Sequence, residues 1–122
     1  MTLRELYQKM DGDYDAAMRT MMMESIAGRM IVRLPDDPNY GRLISALETM
    51  NETEIFEASH ALKGVCGNLG LKKLSDAAAE MCDAFRPGRE RTWTDGQVQE
   101  HAAEITRLYE QAIAGVREYT GQ

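Results

Sequence analysis

The chain has 122 residues and a formal net charge of −6, with 14 lysines and arginines against 20 aspartates and glutamates. This length suits one domain, and we predict a single domain over residues 1–122. The negative charge argues against nucleic acid as a partner, because nucleic-acid phosphates need a basic surface. The N-terminus lacks the features of a signal peptide, and no apolar run approaches the roughly 20 residues that span a bilayer. We therefore expect a soluble, cytoplasmic protein with no membrane partner.

Helix signals recur along the chain, whereas alternating strand patterns are nearly absent. Thr2 and Glu5 have the spacing of a capping box and predict a short first helix. Its apolar face comprises Leu3, Leu6, Tyr7 and Met10. A second helix is predicted over about residues 14–34, with an apolar stripe of Met18, Met22, Met23, Ile26, Ala27, Met30 and Leu34. Of the consecutive methionines 21–23, we expect one to be exposed and the others to lie in the core.

Four more helices are predicted in the rest of the chain, over about residues 38–50, 52–68, 71–85 and 94–119. Their starts are marked by Asp37 before Pro38, by Asn51, and by a capping box of Thr94 and Gln97. Gly70 suits a helix C-terminus. Because short loops favour antiparallel neighbours, we predict an all-α fold: an up-and-down four-helix bundle with additional N-terminal helix or helices.

The helix over residues 52–68 has an unusual outer face. Ile55, Ala58, Leu62, Val65, Cys66 and Leu69 form its apolar stripe, and His60 lies roughly 160° from Leu62 on a helix of 100° per residue. Gly64 and Gly67 follow His60 on the outer face, although glycine costs ~1 kcal/mol relative to alanine inside a helix. Two glycines there would leave the imidazole open to close approach by another protein.

The residues around His60 suit phosphoryl transfer. Imidazole is largely neutral near pH 7 and keeps a nucleophilic lone pair. Lys63 lies one turn from His60 on the same face and could hold a phosphate. The sequence contains no Gly-rich nucleotide loop and no carboxylate cluster suited to Mg²⁺, so we predict that the chain is not an enzyme and that a partner supplies the metal.

The segment His60-Ala-Leu-Lys-Gly-Val-Cys-Gly-Asn-Leu-Gly70 resembles the signature of histidine phosphotransfer (HPt) domains, which have His-x-x-Lys-Gly, small residues and Leu-Gly. The next helix is also similar, including Leu74 and the acidic Glu80. The resemblance implies a four-helix bundle that carries a phosphoryl group to and from aspartates of receiver domains. It implies His60 as the phosphoacceptor, Lys63 as the phosphate-side cation and Gly64 as the residue that leaves clearance.

The expected partners are a response-regulator receiver domain and/or a hybrid histidine kinase, with Mg²⁺ supplied by the receiver. We predict that they contact Phe56, Glu57, Lys63, Gly64 and Gly67, and that the protein is a monomer without its own cofactor. Two alternatives stay open. The chain could be the phosphoacceptor domain of a chemotaxis-type histidine kinase, although no kinase domain follows in the sequence. It could also be a helical adaptor that binds receivers without phosphorylation, although docking alone needs no nucleophile.

Other polar residues have simpler interpretations. Cys66 and Cys82 are expected to be small core residues, and a closed set of four metal ligands is missing, so we predict no metal site. His101 borders an apolar stripe and is expected to pack structurally. The loop arginines 86, 89 and 91 could attract an acidic receiver pocket, but a solvated loop is an equally good interpretation.

Overall fold

The computed structural model describes residues 1–121, and this part of the chain folds into α-helices, one 3₁₀ turn and loops. The predicted all-α class is confirmed. No helix in the described part is long and apolar enough to cross a membrane. In chain order the elements are α1 (Leu3–Lys9), α2 (Tyr14–Met21), α3 (Glu24–Ile31), the 3₁₀ turn (Leu34–Asp36), α4 (Asn39–Thr49), α5 (Glu52–Asn68), α6 (Lys72–Ala84) and α7 (Asp95–Thr120).

The four C-terminal helices form the predicted bundle. Helix α4 packs against α5, α5 against α6, and α6 against α7, and short connections make consecutive helices antiparallel. Tyr40 joins α4, the first helix of the bundle, to α7, the last. Its ring stacks on Tyr109 with ring centroids 3.8 Å apart, and its hydroxyl lies 2.9 Å from the Thr106 hydroxyl. The bundle therefore surrounds α5 with packed neighbours and leaves one of its faces free.

The N-terminal helices join the same hydrophobic core. Helix α1 packs against α7, and Leu3, Leu6, Tyr7 and Met10 are buried as predicted. The Tyr7 hydroxyl donates to the Leu69 carbonyl at 2.5 Å, and the Asp13 backbone N–H donates to the Gly70 carbonyl at 2.7 Å. These two hydrogen bonds tie the start of the chain to the turn between α5 and α6.

The predicted second helix over residues 14–34 is wrong, because the chain breaks at Met22. Met22 has a left-handed backbone with φ of 71°, and Met23 is extended before α3 begins. On one continuous helix Ala17 and Ala27 would lie roughly 80° apart. The break lets each short helix turn its own alanine into the core, where both are fully buried.

The apolar stripe predicted for this helix is wrong in part, for the same reason. Met22, Met23 and Met30 are 82%, 56% and 44% exposed, while Ile31 and Leu34 are buried. Met21 is the half-buried member of the three consecutive methionines, so two of them are exposed rather than one. Ala27 and Leu34 of the predicted stripe are buried, and Met18 and Ile26 are half-buried. The break therefore exposes the stripe's other methionines and adds Ile31 to the core.

Most of the other predicted boundaries are confirmed within a residue. Both capping boxes form, at Thr2 with Glu5 and at Thr94 with Gln97. The Asn51 side chain caps α5. At the start of α4 the capping position is Pro38 rather than Asp37, although the Asp37 carboxylate accepts the Asn39 backbone N–H at 2.9 Å. The buried stripes of α6 and α7 contain the predicted residues.

Two glycines, one in the turn after α5 and one inside α5, should respond oppositely to replacement by alanine. Gly70 has a φ of +74°, and a Cβ there would lie 2.6 Å from the Asp13 carbonyl oxygen. We expect Gly70→Ala to lower the free energy of unfolding by about 2 kcal/mol or more, because left-handed strain and the clash add. Gly64, inside α5, has nothing within 4 Å of a built Cβ. Gly64→Ala should raise stability by roughly 0.5–1 kcal/mol. Urea titration of both variants checks the pair, and equal effects would contradict it.

The core also predicts instability in alkali. Burial raises the pKa of the Cys66 thiol to about 12 and the pKa of the Tyr7 hydroxyl to about 12. Between the unfolded values, 9.0 for the thiol and 10.0 for the phenol, and about 12, the folded state holds more protons than the unfolded state. The contribution of these two groups to the free energy of unfolding should therefore be constant below pH about 9 and fall as the pH rises further.

Urea titrations at several pH values from about 7 to about 11 measure this dependence. Cys66→Val removes one of the two titrating groups and should make the decline shallower. An unchanged decline in Cys66→Val would show that the thiol does not contribute.

Candidate functional site

Helix α5 presents two chemically different faces. Ile55, Ala58, Leu62 and Cys66 are fully buried, whereas His60, Gly64 and Gly67 are exposed, as the helical periodicity predicts. Ser59 is the buried polar residue beside His60, and its hydroxyl donates to the Ile55 carbonyl at 2.6 Å. Packing of the inner face fixes the rotation of α5 about its axis. His60 on the outer face therefore has a fixed orientation.

The imidazole of His60 lies between two neighbours. Its Nδ1 is 3.9 Å from Sγ of Cys82, a residue of α6 that is 1% exposed. The Phe56 ring, one turn earlier on α5, is nearly parallel to the imidazole, with an interplanar angle of 19° and centroids 6.0 Å apart. Because Nδ1 faces Cys82, the opposite edge of the ring, which carries Nε2, is directed away from α6.

The glycines beside His60 differ in their surroundings. A Cβ at Gly64 would meet no atom within 4 Å, so packing inside the protein does not require glycine there. A Cβ at Gly67 would lie 3.4 Å from the Ser75 hydroxyl, an ordinary contact. The Ser75 hydroxyl itself donates to the Lys63 carbonyl at 3.0 Å and joins α6 to α5. The open space is therefore greatest at Gly64, one turn after His60.

Positive side chains gather around Asp83, the residue after Cys82. The Arg86 guanidinium donates to the Asp83 carboxylate at 2.6 Å and lies 5.7 Å from the centre of the Phe56 ring. This hydrogen bond lowers the pKa of the Asp83 carboxyl, and the charges of Arg86, Arg89 and Lys63 lower it further. Three cations thus surround Asp83, next in sequence to the Cys82 that contacts His60, in a chain whose net charge is −6.

The third arginine of the loop belongs to a different environment. Arg91 donates to the Asp95 carboxylate at 2.9 Å, and its guanidinium lies 5.6 Å from the centre of the Phe85 ring. Of the three loop arginines that the sequence singles out, only Arg86 and Arg89 therefore accompany the His60 face. Glu57, one of the predicted partner contacts, is exposed, while Phe56 and Lys63 are half-buried.

The second histidine is held in a separate cluster. Trp93 stacks on His101 with centroids 3.8 Å apart, and Nδ1 of His101 lies 3.4 Å from the Glu80 carboxylate. His101 therefore packs between α6 and the loop before α7, in line with the structural role expected for it. Within residues 1–121 no group of three or more histidine, cysteine, aspartate or glutamate side chains is placed to hold a metal ion.

Sequence reasoning missed the contact of Cys82 with His60 and the cations around Asp83. Cys82 was expected only as a core residue, and Asp83 was not singled out at all. The periodicity of α6 predicts that Cys82 is buried, because it follows the buried Ala78 by one turn. Which residue of α5 it meets depends on the register between the two helices, and no local pattern encodes that register.

Comparison with protein families identifies the bundle. The family model described as Hpt domain matches residues 37–118, which is more than half of the chain. The chain therefore belongs to the Hpt domain family, whose members are phosphocarriers in two-component signalling. Searches of curated proteins and of solved structures give no match. Helices α1–α3 precede the matched region, and the prediction of one domain over 1–122 stays a prediction, with Gln122 outside the described residues.

Proposed function

We propose that this protein carries a phosphoryl group on His60 to and from aspartates of response-regulator receiver domains in a phosphorelay. The observation that carries the proposal is the exposure of His60 on the outer face of α5, inside the family match and beside a glycine that internal packing does not require. A structural histidine would need packing partners like those of His101, whereas a phosphoacceptor needs room for a second protein.

The ring geometry favours Nε2 as the acceptor atom. Nδ1 faces Cys82, so a donor can approach in line only from the opposite edge. The Nε2 lone pair forms a bond to phosphorus while the bond from phosphorus to the aspartyl oxygen breaks, and its electron pair stays on the departing carboxylate. The proton on Nδ1 remains on the ring. Transfer of this kind depends mainly on positioning and charge neutralisation.

The cations near His60 supply part of that neutralisation. Lys63 would approach the phosphoryl oxygens from one turn away on α5. Arg86 and Arg89 give an acidic chain a local positive surface, which would guide the acidic pocket of a receiver toward His60. Mg²⁺ held by the receiver would neutralise the remaining charge on the phosphoryl group. We propose Phe56, Glu57, Gly64 and Gly67 as further contacts of the partner.

Replacement of His60 tests the proposal directly. We expect His60→Gln to reduce acid-labile phosphoryl label to background while stability changes by no more than about 0.5 kcal/mol, because the side chain is exposed. Incubation with phosphorylated receiver domains and Mg²⁺ measures the label. The matched control is His101→Gln, which removes the only other histidine and should keep the label. Normal labelling of His60→Gln would exclude this residue as the acceptor.

The same assay separates the alternative functions. A helical adaptor would bind receivers and acquire no label from any of them. The phosphoacceptor domain of a chemotaxis-type kinase would be labelled by an ATP-binding kinase domain but not by a phosphorylated receiver.

Clearance at Gly64 predicts a variant that folds but transfers poorly. Gly64→Gln should fold at least as stably as the wild type, since glutamine is a better helix former and its Cβ would meet no neighbour. Its side chain would obstruct the approach to His60, and we expect the transfer rate to fall at least about tenfold. Gly41→Gln on α4, also in open space, is the control and should leave the rate unchanged. Equal rates in both variants would refute the clearance argument.

A further inference from the structure

The proposed function uses the position of Cys82 beside Nδ1 of His60 but assigns no role to its sulfur. Within residues 1–121, Sγ of Cys82 is the only atom within hydrogen-bonding distance of a ring nitrogen of His60, at 3.9 Å from Nδ1. Cys82 is 1% exposed, so no partner protein can touch its thiol from outside. The thiol can therefore affect transfer only from inside the protein, and its hydrogen-bonding neighbour there is the His60 ring.

We propose that Cys82 is a positioning residue, whose sulfur accepts a hydrogen bond from Nδ1–H of His60 and thereby leaves the Nε2 lone pair free to take the phosphoryl group. The inference rests on the proposed function of His60. The hydrogen bond would decide which of the two neutral forms of the imidazole the protein maintains.

The chemistry of imidazole makes this choice matter. A neutral ring has one protonated and one unprotonated nitrogen, and the hydrogen bond made by one nitrogen decides which form is present. Only the form with the proton on Nδ1 has a nucleophilic lone pair on Nε2. The sulfur of cysteine is a weak acceptor, and the N···S distance of 3.9 Å is long, so the preference it creates is modest.

The location of the thiol on α6 fixes the direction of the ring as well. Cys82 sits on a helix whose Leu74, Ala78 and Met81 are buried in the core, so its sulfur has a defined place. Phe56 lies along the imidazole on the α5 side. A sulfur on one helix and an aromatic ring on the other restrict the imidazole while its Nε2 edge stays clear of α6.

Replacement of the Cys82 side chain by valine, compared with the same replacement at Cys66, tests its hydrogen-bonding role. Cys82→Val removes the acceptor and enlarges the side chain by about one methyl group, a change in packing that needs its own control. The chain offers a matched control in Cys66→Val, since Cys66 is also buried but lies on the opposite face of α5 from His60. Cys82→Ser returns an acceptor of smaller size and should recover part of the wild-type behaviour.

Two measurements are made on the full chain. The first is the tautomer population of His60 by ¹⁵N NMR of the unphosphorylated protein. The second is the rate of acid-labile labelling by phosphoramidate, a small donor that needs no partner, from which the P–N bond breaks and ammonia leaves. We expect Cys82→Val to lower the Nδ1–H population and to slow labelling about two- to threefold, the low end of the range of one hydrogen bond.

The expected control results are a wild-type tautomer population and rate in Cys66→Val, with Cys82→Ser between wild type and Cys82→Val. An unchanged His60 tautomer in Cys82→Val would overturn the proposal, and so would an equal loss of rate in Cys66→Val. If Cys82→Val does not fold, Cys82→Ser decides by the same readouts. If wild-type His60 takes no label from any donor, the proposed function fails, and the tautomer population still decides whether Cys82 orients the ring.

Discussion

The packing of α5 between α4 and α6 is the constraint on which the rest of the site depends. Ile55, Leu62 and Cys66 are fully buried on its inner face, and exposing each such side chain would cost about 1.5–3 kcal/mol. Rotation of α5 about its axis is therefore strongly opposed. The outer face cannot rotate independently of the inner face. His60 can therefore be exposed to solvent and still have a constant position relative to α6.

Glycine on the outer face of α5 lowers the stability of the helix, and the packing and capping of α5 compensate for this loss. Gly64 lies in open space inside the helix, where alanine would be more stable. The buried stripe on the opposite side and the Asn51 cap offset this cost. The charge around Asp83 also differs from that of the whole chain. Lys63, Arg86 and Arg89 are near one another although the chain as a whole is acidic. Both features suit the approach of a partner under the proposed function, and neither stabilises the bundle.

The surroundings of His60 come from two helices and a loop that are distant in sequence. Cys82 and Asp83 belong to the end of α6, and Arg86 to the loop that follows it. The turn at Gly70 sets how α6 returns along α5, and the N-terminal segment is bound to that turn through Asp13. Helices α1–α3, which precede the family match, thus support the geometry of the α5–α6 pair without contributing a residue to the His60 face.

The sequence by itself determined the helices whose signals are local. The caps at Thr2, Asn51 and Thr94 and the buried stripes of α5–α7 depend on residues within one or two turns, so pattern reading located them and placed His60 outward. Tertiary structure alone decided the break at Met22 and the contact of His60 with Cys82. Both depend on how separate helices pack against one core, and the burial gained there outweighs the preference of residues 14–34 for one continuous helix. The register between α5 and α6 is a property of their shared interface, which neither helix encodes alone.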